Sequence, residues 1–445
     1  MQLDRLIAAL GPTEVANAAS PEIADLAYDT RAVEPGALFF CVPGARRDGH
    51  DLAPEAVASG AVALVVERLV DADVPQLVVP SVRRAMPIAA DEFFGSPSRE
   101  LDVAAVTGTN GKTTTAFLLA SILDAAGRRP ALLTNIERRI GGERRPLGLN
   151  TPEAIDLQRL FREMLDAGDR SCVLEATSIA GAKARLDGTR LAVLVFTNLT
   201  QDHLDFHGTM DEYFAAKEAL FALAERAVIN VGDEWGRKLA EALPDARTFT
   251  PEDDLDGIEL RLQGHFNRAN ALGAMWAARE LGVPEDAISS GIAAVRGVPG
   301  RFESVDAGQL FAVIVDYAHT PDSLENVLRA ARELGDRLTV VFGAGGDRDR
   351  EKRPLMGRVA ARLADRAIVT TDNPRSEDPA VIAAEVAEGK LEIVLDRRDA
   401  IETALGDAQP GDIVVIAGKG ADTEMELDGR SIPFDDREVA REVLR

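Results

Sequence analysis

Cysteine is nearly absent. The 445-residue chain carries two, Cys41 and Cys172, and neither sits in a C-x-x-C pair. That excludes a disulfide framework and fits a reduced, cytosolic compartment. Basic charge is in short supply: 50 Lys and Arg stand against 74 Asp and Glu, a net charge of −24. Such a surface repels a phosphate backbone, so general nucleic-acid binding is not expected, although a local basic pocket for a phosphorylated small molecule remains open. Long apolar runs are missing. Ala61–Val66 and Leu191–Phe196 are six residues each, too short to cross a bilayer and right for buried strands. The start, Met1-Gln2-Leu3-Asp4, has an acid and no long apolar core, so no secretory signal is expected and no membrane partner. Lysine is scarce, with 7 among the 50 basic residues against 43 arginines. A lysine kept inside a glycine-rich or acidic motif therefore carries more weight than usual.

What is present is ordinary globular material, 46% hydrophobic and 28% charged. It excludes a disordered chain, a collagen and a coiled-coil rod. The length predicts about three domains. Short apolar runs alternate with amphipathic stretches and no repeat is visible, which predicts an α/β fold with largely parallel sheets. Gly95-Ser96-Pro97 and Gly297-Val298-Pro299-Gly300 punctuate the chain, giving segments 1–97, 98–300 and 301–445. Strands are expected at Ala61–Val66, Gln76–Val79, Leu101–Val106, Ser171–Leu174, Leu191–Phe196, Ala312–Val315, Leu338–Phe342, Ala367–Thr370 and Ile413–Ala417. In open α/β sheets the ligand sits at the carboxyl ends of the strands, and polar or glycine-rich motifs follow most of these.

The strongest motif is Gly108-Thr109-Asn110-Gly111-Lys112-Thr113-Thr114, between a strand and a helix. Glycines let backbone N–H groups converge on phosphate oxygens, the helix N-terminus adds partial positive charge, and the lysine adds a full one. A Thr after the lysine is the usual Mg²⁺ ligand of such loops. The strict P-loop pattern fails, because its first glycine falls on Val106 and the loop is shorter. The second motif, Thr197 to Gly208, packs His203, His207, Asp202 and Asp205 behind a buried strand, which suits a metal-triphosphate on the same sheet edge. Glu175 in Leu174-Glu175-Ala176-Thr177-Ser178 reads either as part of a helix-capping cluster or as a carboxylate ligand for Mg²⁺. Asn267 and Asn270, three apart on one helical face, read equally as adenine readers or as helix capping. Lys217 on its own reads as a solvated helix residue. In the last segment, four strand ends run into Asp316–Pro321, Gly343–Asp349, Asp372–Arg375 and Gly418–Asp422. Together they describe one ligand-binding rim.

These residues resemble the Mur ligases, most closely the UDP-N-acetylmuramoyl-tripeptide synthetase (MurE) type. The resemblance runs nearly the whole chain. It covers Tyr28-Asp29-Thr30-Arg31, the phosphate loop, Asn150-Thr151-Pro152-Glu153, the Thr197–His203 stretch, Tyr213–Phe221, Asn267 to Asn270 and Gly300-Arg301-Phe302-Glu303. It continues through Asp316–Pro321, Gly345–Met356, Asp372–Pro379 and Gly418–Gly420. It implies a smaller N-terminal α/β UDP-binding domain (1–97), a central P-loop mononucleotide-binding sheet (98–300) and a C-terminal Rossmann-like amino-acid domain (301–445). It further implies ATP-dependent peptide ligation in peptidoglycan precursor synthesis, with ATP and Mg²⁺, in a cytoplasmic monomer.

Carried over by position, Lys112, Lys217, His203 and Asp316 serve catalysis. Residues Gly108 to Thr114, Asn267, Asn270, Arg301 and Asp316 hold the nucleotide, and Thr113, Glu175 and His203 hold Mg²⁺. Lys217 matches the lysine that the family carbamylates. Thr30, Asn150, Thr151, Thr177, Lys183 and Arg185 fall on the muramoyl substrate, and Arg348, Asn373, Arg375, Gly418 and Asp422 on the incoming amino acid. The chain departs from the family pattern at several positions. Ile179 stands where a histidine is usual, Thr177 for a serine, Asn150 for a threonine and Lys183 for a glutamine. Ala421-Asp422 replaces His-Glu, which shortens the carboxylate stem facing the donor ammonium.

The expected acceptor is UDP-N-acetylmuramoyl-L-alanyl-D-glutamate. Arg375, helped by Arg348, would attract the far carboxylate of meso-diaminopimelate and repel the ammonium of L-lysine, so meso-diaminopimelate is the expected donor. Three other readings stand beside it: L-lysine or another diamino acid as donor, a folylpolyglutamate-synthase type of ligase, and a non-catalytic nucleotide-binding paralogue. The leading Asp29-Thr30-Arg31 argues against the second, and the intact Lys112, His203, Lys217 and Asp316 against the third.

Overall fold

Runs of β-branched and other apolar residues bounded by polar turns form buried parallel strands, as the sequence pattern requires. The computed structural model describes residues 1–44 and 47–445. The chain divides into two compact units. The first is Met1–Ala105, Arg128–Leu194 and Ala216–Arg226; the second is Val106–Gly127, Val195–Ala215 and Ala227–Arg445.

In the first unit, five strands lie in the order Glu14–Ala16, Gln76–Val78, Ala61–Val66, Ala37–Phe40 and Asp25–Ala27. All neighbours are parallel except the first pair. The strand Ala37–Phe40 is buried throughout. Its alternate residues feed two cores, one holding Leu38 and Phe40 with Val65 and Leu77, the other Phe39 with Leu64 and Val66. That double coverage explains why these strands read as continuous apolar runs rather than alternating ones. The strand Ser171–Glu175 pairs in parallel with Pro130–Leu133, which a hairpin of Arg138–Ile140 and Glu143–Arg145 extends.

In the second unit, six strands follow the order Glu303–Ser304, Ala312–Asp316, Ile413–Ala417, Leu338–Phe342, Arg366–Val369 and Glu392–Ile393. The first pair is antiparallel and the rest are parallel. Helix Lys112–Ala125 packs on helices Phe266–Glu280 and Glu285–Ala294. A β-carbon on Gly291 would sit 2.4 Å from Ile122 Cα, so only glycine permits that helix contact.

The expected α/β class is the one observed. Three expected strands, Ala61–Val66, Leu338–Phe342 and Ile413–Ala417, have the bounds read from the sequence, and others move by one or two residues: Gln76–Val78, Asp102–Thr107, Val193–Phe196 and Arg366–Val369. Asn267 is not a cap. Helix Phe266–Glu280 starts one residue before it, with His265 at the N-cap. Among the described residues no helix is long and apolar enough to cross a membrane.

Candidate active site

The phosphate loop is wired from behind. Strand Asp102–Thr107 ends where Gly108 takes φ +143°, and a β-carbon there would lie 1.9 Å from Thr197 Oγ1. Thr197 Oγ1 in turn donates to the Asn110 carbonyl at 2.6 Å. Asn198 brackets the same residue, accepting from Asn110 N–H at 2.9 Å and donating to its carbonyl at 3.1 Å. Thr109 Oγ1 accepts from Thr200 N–H at 3.0 Å and meets Tyr213 OH at 3.1 Å. These bonds hold Thr109 and Asn110 from the rear. Gly111, at φ +85°, leads into the helix, and a β-carbon on it would stand 2.2 Å from Asn270 Oδ1. Asn270 Nδ2 donates to Asn267 Oδ1 at 2.9 Å, so a side-chain relay joins the loop to Asn267. The Lys112 ammonium donates to the carbonyls of Gly108 and Thr109 at 3.1 and 2.7 Å.

Arg301 and Asp316 join this cluster. Arg301 donates to Thr113 Oγ1 at 3.1 Å and lies over the Tyr317 ring at 4.2 Å. Each Asp316 carboxylate oxygen accepts from a backbone donor, Phe302 N–H at 2.6 Å and Ala318 N–H at 2.7 Å. Burial raises the Asp316 carboxyl, and the Arg301 charge and these two donors oppose that rise. Asp316 thus fixes the turn that carries Arg301. His203 sits at φ +55°, left-handed for a non-glycine residue. Its N–H donates to Asp202 Oδ1 at 3.0 Å, and its Nε2 is 3.4 Å from Asp202 Oδ2. Asp202 also faces His319 Nε2 at 3.7 Å and Lys352 Nζ at 3.6 Å. Burial alone would raise the Asp202 carboxyl, but His319, His203 and Lys352 hold it well below the usual carboxylate range.

The rim of the six-stranded sheet is equally fixed. Gly418, at φ +117°, admits Asp372, whose Oδ2 would lie 2.2 Å from a β-carbon there. Lys419, fully buried, donates to the Glu424 carbonyl at 2.6 Å and reaches Asn373 Oδ1 at 3.4 Å. Arg375 donates to the Gly346 carbonyl at 2.8 Å and pairs with Glu426 at 2.7 Å. Arg348 is exposed, its guanidinium on its neighbour's carbonyl, that of Asp347, at 3.0 Å. Burial raises the Asp422 carboxyl, with Lys419 opposing. Arg353, fully buried, pairs with Glu377 and Glu385 and donates to the Gly345 carbonyl at 3.1 Å, which locks the glycine turn.

The first unit gathers most of the residues expected on the acceptor side. Thr151 Oγ1 donates to the Glu175 carbonyl at 2.8 Å and meets Thr177 Oγ1 at 3.1 Å. Glu175 is buried, its carboxylate accepting from Asn135 N–H at 3.4 Å and Asn150 Nδ2 at 3.3 Å. Thr177 also caps the short helix Ser178–Ala182, so the capping reading of this cluster holds too. Arg185 donates to the Thr151 carbonyl at 3.1 Å and pairs with Glu153 at 2.8 Å, and Arg83 pairs with Glu153 at 3.1 Å. Partial burial, then Arg185 and Arg83, lower the Lys183 ammonium's pKa. Asn150 Oδ1 and Arg185 Nε are buried without a hydrogen-bond partner, which a bound ligand can supply. Thr30 stands apart from this group and donates to Glu55 at 2.7 Å. Nearby, Tyr28, Arg138, Leu149, Pro152, Asp156 and Arg159 line a cleft of about 260 Å³.

Lys217 is the sharpest departure from residue-by-residue expectation. It is 1% exposed, not solvated. Gly181 allows the close packing beside it: a β-carbon there would meet the Ala216 carbonyl at 2.3 Å. Sequence reasoning also missed Arg83, Lys352 and Arg353, and it read Asp202 as part of a metal-triphosphate motif rather than as the partner of Lys352. The scarcity of lysine was the one signal that pointed to Lys352, inside the Gly345–Met356 run.

Among the described residues no group of three or more His, Cys, Asp and Glu is arranged to cage a metal. Mg²⁺ needs none, since it keeps waters and takes substrate phosphates with one or two protein groups. The Thr113 hydroxyl at the loop and the buried Glu175 carboxylate have the hard-oxygen chemistry that such an ion takes.

The fold and the loop define a mononucleotide-binding α/β protein. Three family profiles match in order: "Mur ligase family, catalytic domain" over residues 22–94, "Mur ligase middle domain" over 106–250 and "Mur ligase, glutamate ligase domain" over 300–420. The UDP-N-acetylmuramoyl-L-alanyl-D-glutamate--2,6-diaminopimelate ligase of Geobacillus thermodenitrificans is 44% identical, covering 100% of this chain and 99% of the relative. The enzyme of the same name from Syntrophomonas wolfei is 44% identical over 95% of each chain. A solved structure of a ligase of that name is 31% identical, covers 95% of this chain and 94% of its own, and superposes with a TM-score of 0.66. The chain belongs to the Mur ligase family.

Proposed function

We propose that the chain is an ATP-dependent ligase that adds meso-diaminopimelate to UDP-N-acetylmuramoyl-L-alanyl-D-glutamate through an acyl phosphate. The observation that carries this is the phosphate loop: Thr109 and Asn110 are held from behind by Thr197, Asn198 and Thr200, while Arg301 reaches Thr113 from the front. Full-length similarity to ligases of that name supports the substrates.

The chemistry is set by charge. A substrate carboxylate must approach the γ-phosphate of ATP, anion against polyanion. Lys112, Arg301 and the loop N–H groups lower that repulsion. Lys112 exchanges its carbonyl partners for phosphate oxygens, and Asn267 and Asn270 lie on the adenine side. Thr113, Glu175 and His203 would hold Mg²⁺, which when bound neutralises phosphate charge. Lys217 is read as carbamylated: the ammonium loses a proton, the neutral amine adds CO₂, a second proton leaves, and a cationic side chain becomes an anion. The side chain is 1% exposed, so the modified amine would lie out of bulk water. Thr30, Asn150, Thr151, Thr177, Lys183 and Arg185 take the muramoyl acceptor, and the orphaned Asn150 Oδ1 and Arg185 Nε support that reading. Asn373, Arg375, Gly418 and Asp422 take the amino acid, with Arg348 beside them.

The three segments 1–97, 98–300 and 301–445 are read as the UDP, ATP and amino-acid domains of one monomer. A cytoplasmic setting suits its two free cysteines. Incubating the protein with ATP, the muramoyl dipeptide and meso-diaminopimelate and weighing the product tests the proposal. A product heavier by diaminopimelate less water is expected, and unchanged acceptor overturns it.

A further inference from the structure

The loop at residues 201–203 meets the segments 319–322 and 349–352, most deeply at one buried carboxylate. Asp202 is 5% exposed, and so is Lys352, whose ammonium lies 3.6 Å from Asp202 Oδ1. The other oxygen faces His203 Nε2 at 3.4 Å and His319 Nε2 at 3.7 Å. The His319 ring is itself anchored, Nδ1 to the Tyr317 carbonyl at 2.8 Å. Two flanking bonds run the same way: Gln201 Nε2 to Asp349 Oδ2 at 3.3 Å, and Asn110 Nδ2 to Asp322 Oδ2 at 2.8 Å. The phosphate loop and its neighbour are thus tied at three points to the segments 319–322 and 349–352. Asp202 is the most buried of these ties and the one that also holds His203 in its left-handed conformation. A carboxylate buried among several cationic groups is costly to leave unpaired, so this tie has two states, made or broken, with little between.

We propose that Asp202, paired with Lys352, is a positioning residue that keeps the amino-acid segments over the nucleotide loop while the acyl phosphate exists. This rests on the ligase reading above. In the first step an acceptor carboxylate oxygen bonds to the γ-phosphorus, the bond from that phosphorus to the β,γ-bridging oxygen breaks, and ADP forms. In the second the donor's neutral amine attacks the acyl carbon, phosphate leaves with the bonding pair, and the nitrogen loses a proton. If water attacks instead, acid and phosphate return, and ATP is consumed without an amide. Excluding water during that interval requires the donor segments to stay closed, which the Asp202–Lys352 tie supplies.

The test measures ADP formed per amide formed, in the full-length protein, for wild type, Asp202→Asn, Lys352→Gln and the double variant. Wild type is expected to give one ADP per amide. Each single variant is expected to raise the ratio about threefold or more, and the double no further, because the two act as one tie. A ratio that stays at one while both rates fall together means a merely structural role and overturns the proposal. If Asp202→Asn does not fold, Lys352→Gln carries the same comparison. Amide hydrogen exchange on the substrate-free protein judges the tie separately. Faster exchange at 319–322 and 349–352 in Asp202→Asn supports it, and unchanged exchange overturns it. A wild-type protein that makes no amide overturns the ligase reading, and the coupling role with it, whatever the exchange shows.

Discussion

Arg301 donates to the hydroxyl of Thr113 at 3.1 Å while its guanidinium lies 4.2 Å from the centre of the Tyr317 ring. One side chain therefore links the first helical turn after the phosphate loop to the turn that Asp316 fixes. A flat, delocalised cation can stack and donate at once, and an ammonium cannot do both in that geometry. Replacing Arg301 by Met is expected to raise KM for ATP by about ten- to a hundredfold, the loss of one or two charged hydrogen bonds. Arg301→Lys is expected to restore little of it. Steady-state kinetics over a range of ATP concentrations checks both.

The loop glycines offer a steric test. Gly108→Ala places a β-carbon 1.9 Å from Thr197 Oγ1 at φ +143°, where strain and collision add. Gly142→Ala, at φ +82°, has nothing within 4 Å and suffers strain alone. Thermal unfolding is expected to fall by a few degrees for Gly142→Ala, about 1 kcal/mol, and by clearly more for Gly108→Ala. Only Gly108→Ala is expected to abolish nucleotide binding, measured by calorimetry.

Acid stability should report the lock on the Gly345 turn. The hydrogen bond from Arg353 lowers the Glu377 carboxyl to about 2. A depressed folded-state value contributes stability above the unfolded value of about 4.3, and that contribution is lost as pH falls toward 2. Glu377→Gln is therefore expected to melt below wild type at pH 7, by about 1–3 kcal/mol, and to converge on it near pH 2. A gap that stays constant with pH would contradict the pairing.

The strands and the phosphate loop were legible because both rest on local pattern. An apolar run such as Leu338–Phe342 has one way to be buried on two faces, and the glycines of the loop mark the backbone positions that side chains would block. Lys217 was not legible from composition. A lysine in Tyr213–Phe221 looks solvated, yet the fold buries it, with Gly181 packed closely on the neighbouring Ala216 carbonyl. The pairing of Asp202 with Lys352 was hidden for a different reason. Asp202 was visible in the Thr197–Gly208 motif, but Lys352 lies far off in sequence, and only the fold brings the two to 3.6 Å. Arg353 is similar: buried, it depends on two glutamates 24 and 32 residues downstream. The matched residues Thr151, Glu175 and Thr177 were visible as a motif, but the orphaned Asn150 Oδ1 among them was not.

The identity of the amine that completes the bond is the most direct readout of the proposed ligase. Arg375 donates to the Gly346 carbonyl and pairs with Glu426, and in the proposed reading the donor's distal carboxylate takes the place of Glu426, where a distal ammonium would be repelled. The direct measurement is ADP release with ATP and the muramoyl dipeptide present, comparing meso-diaminopimelate, L-lysine and ornithine as donors. Turnover with meso-diaminopimelate is expected to be at least tenfold above the other two, about 1.4 kcal/mol of discrimination. A clear preference for lysine, or no donor-dependent release at all, would contradict it.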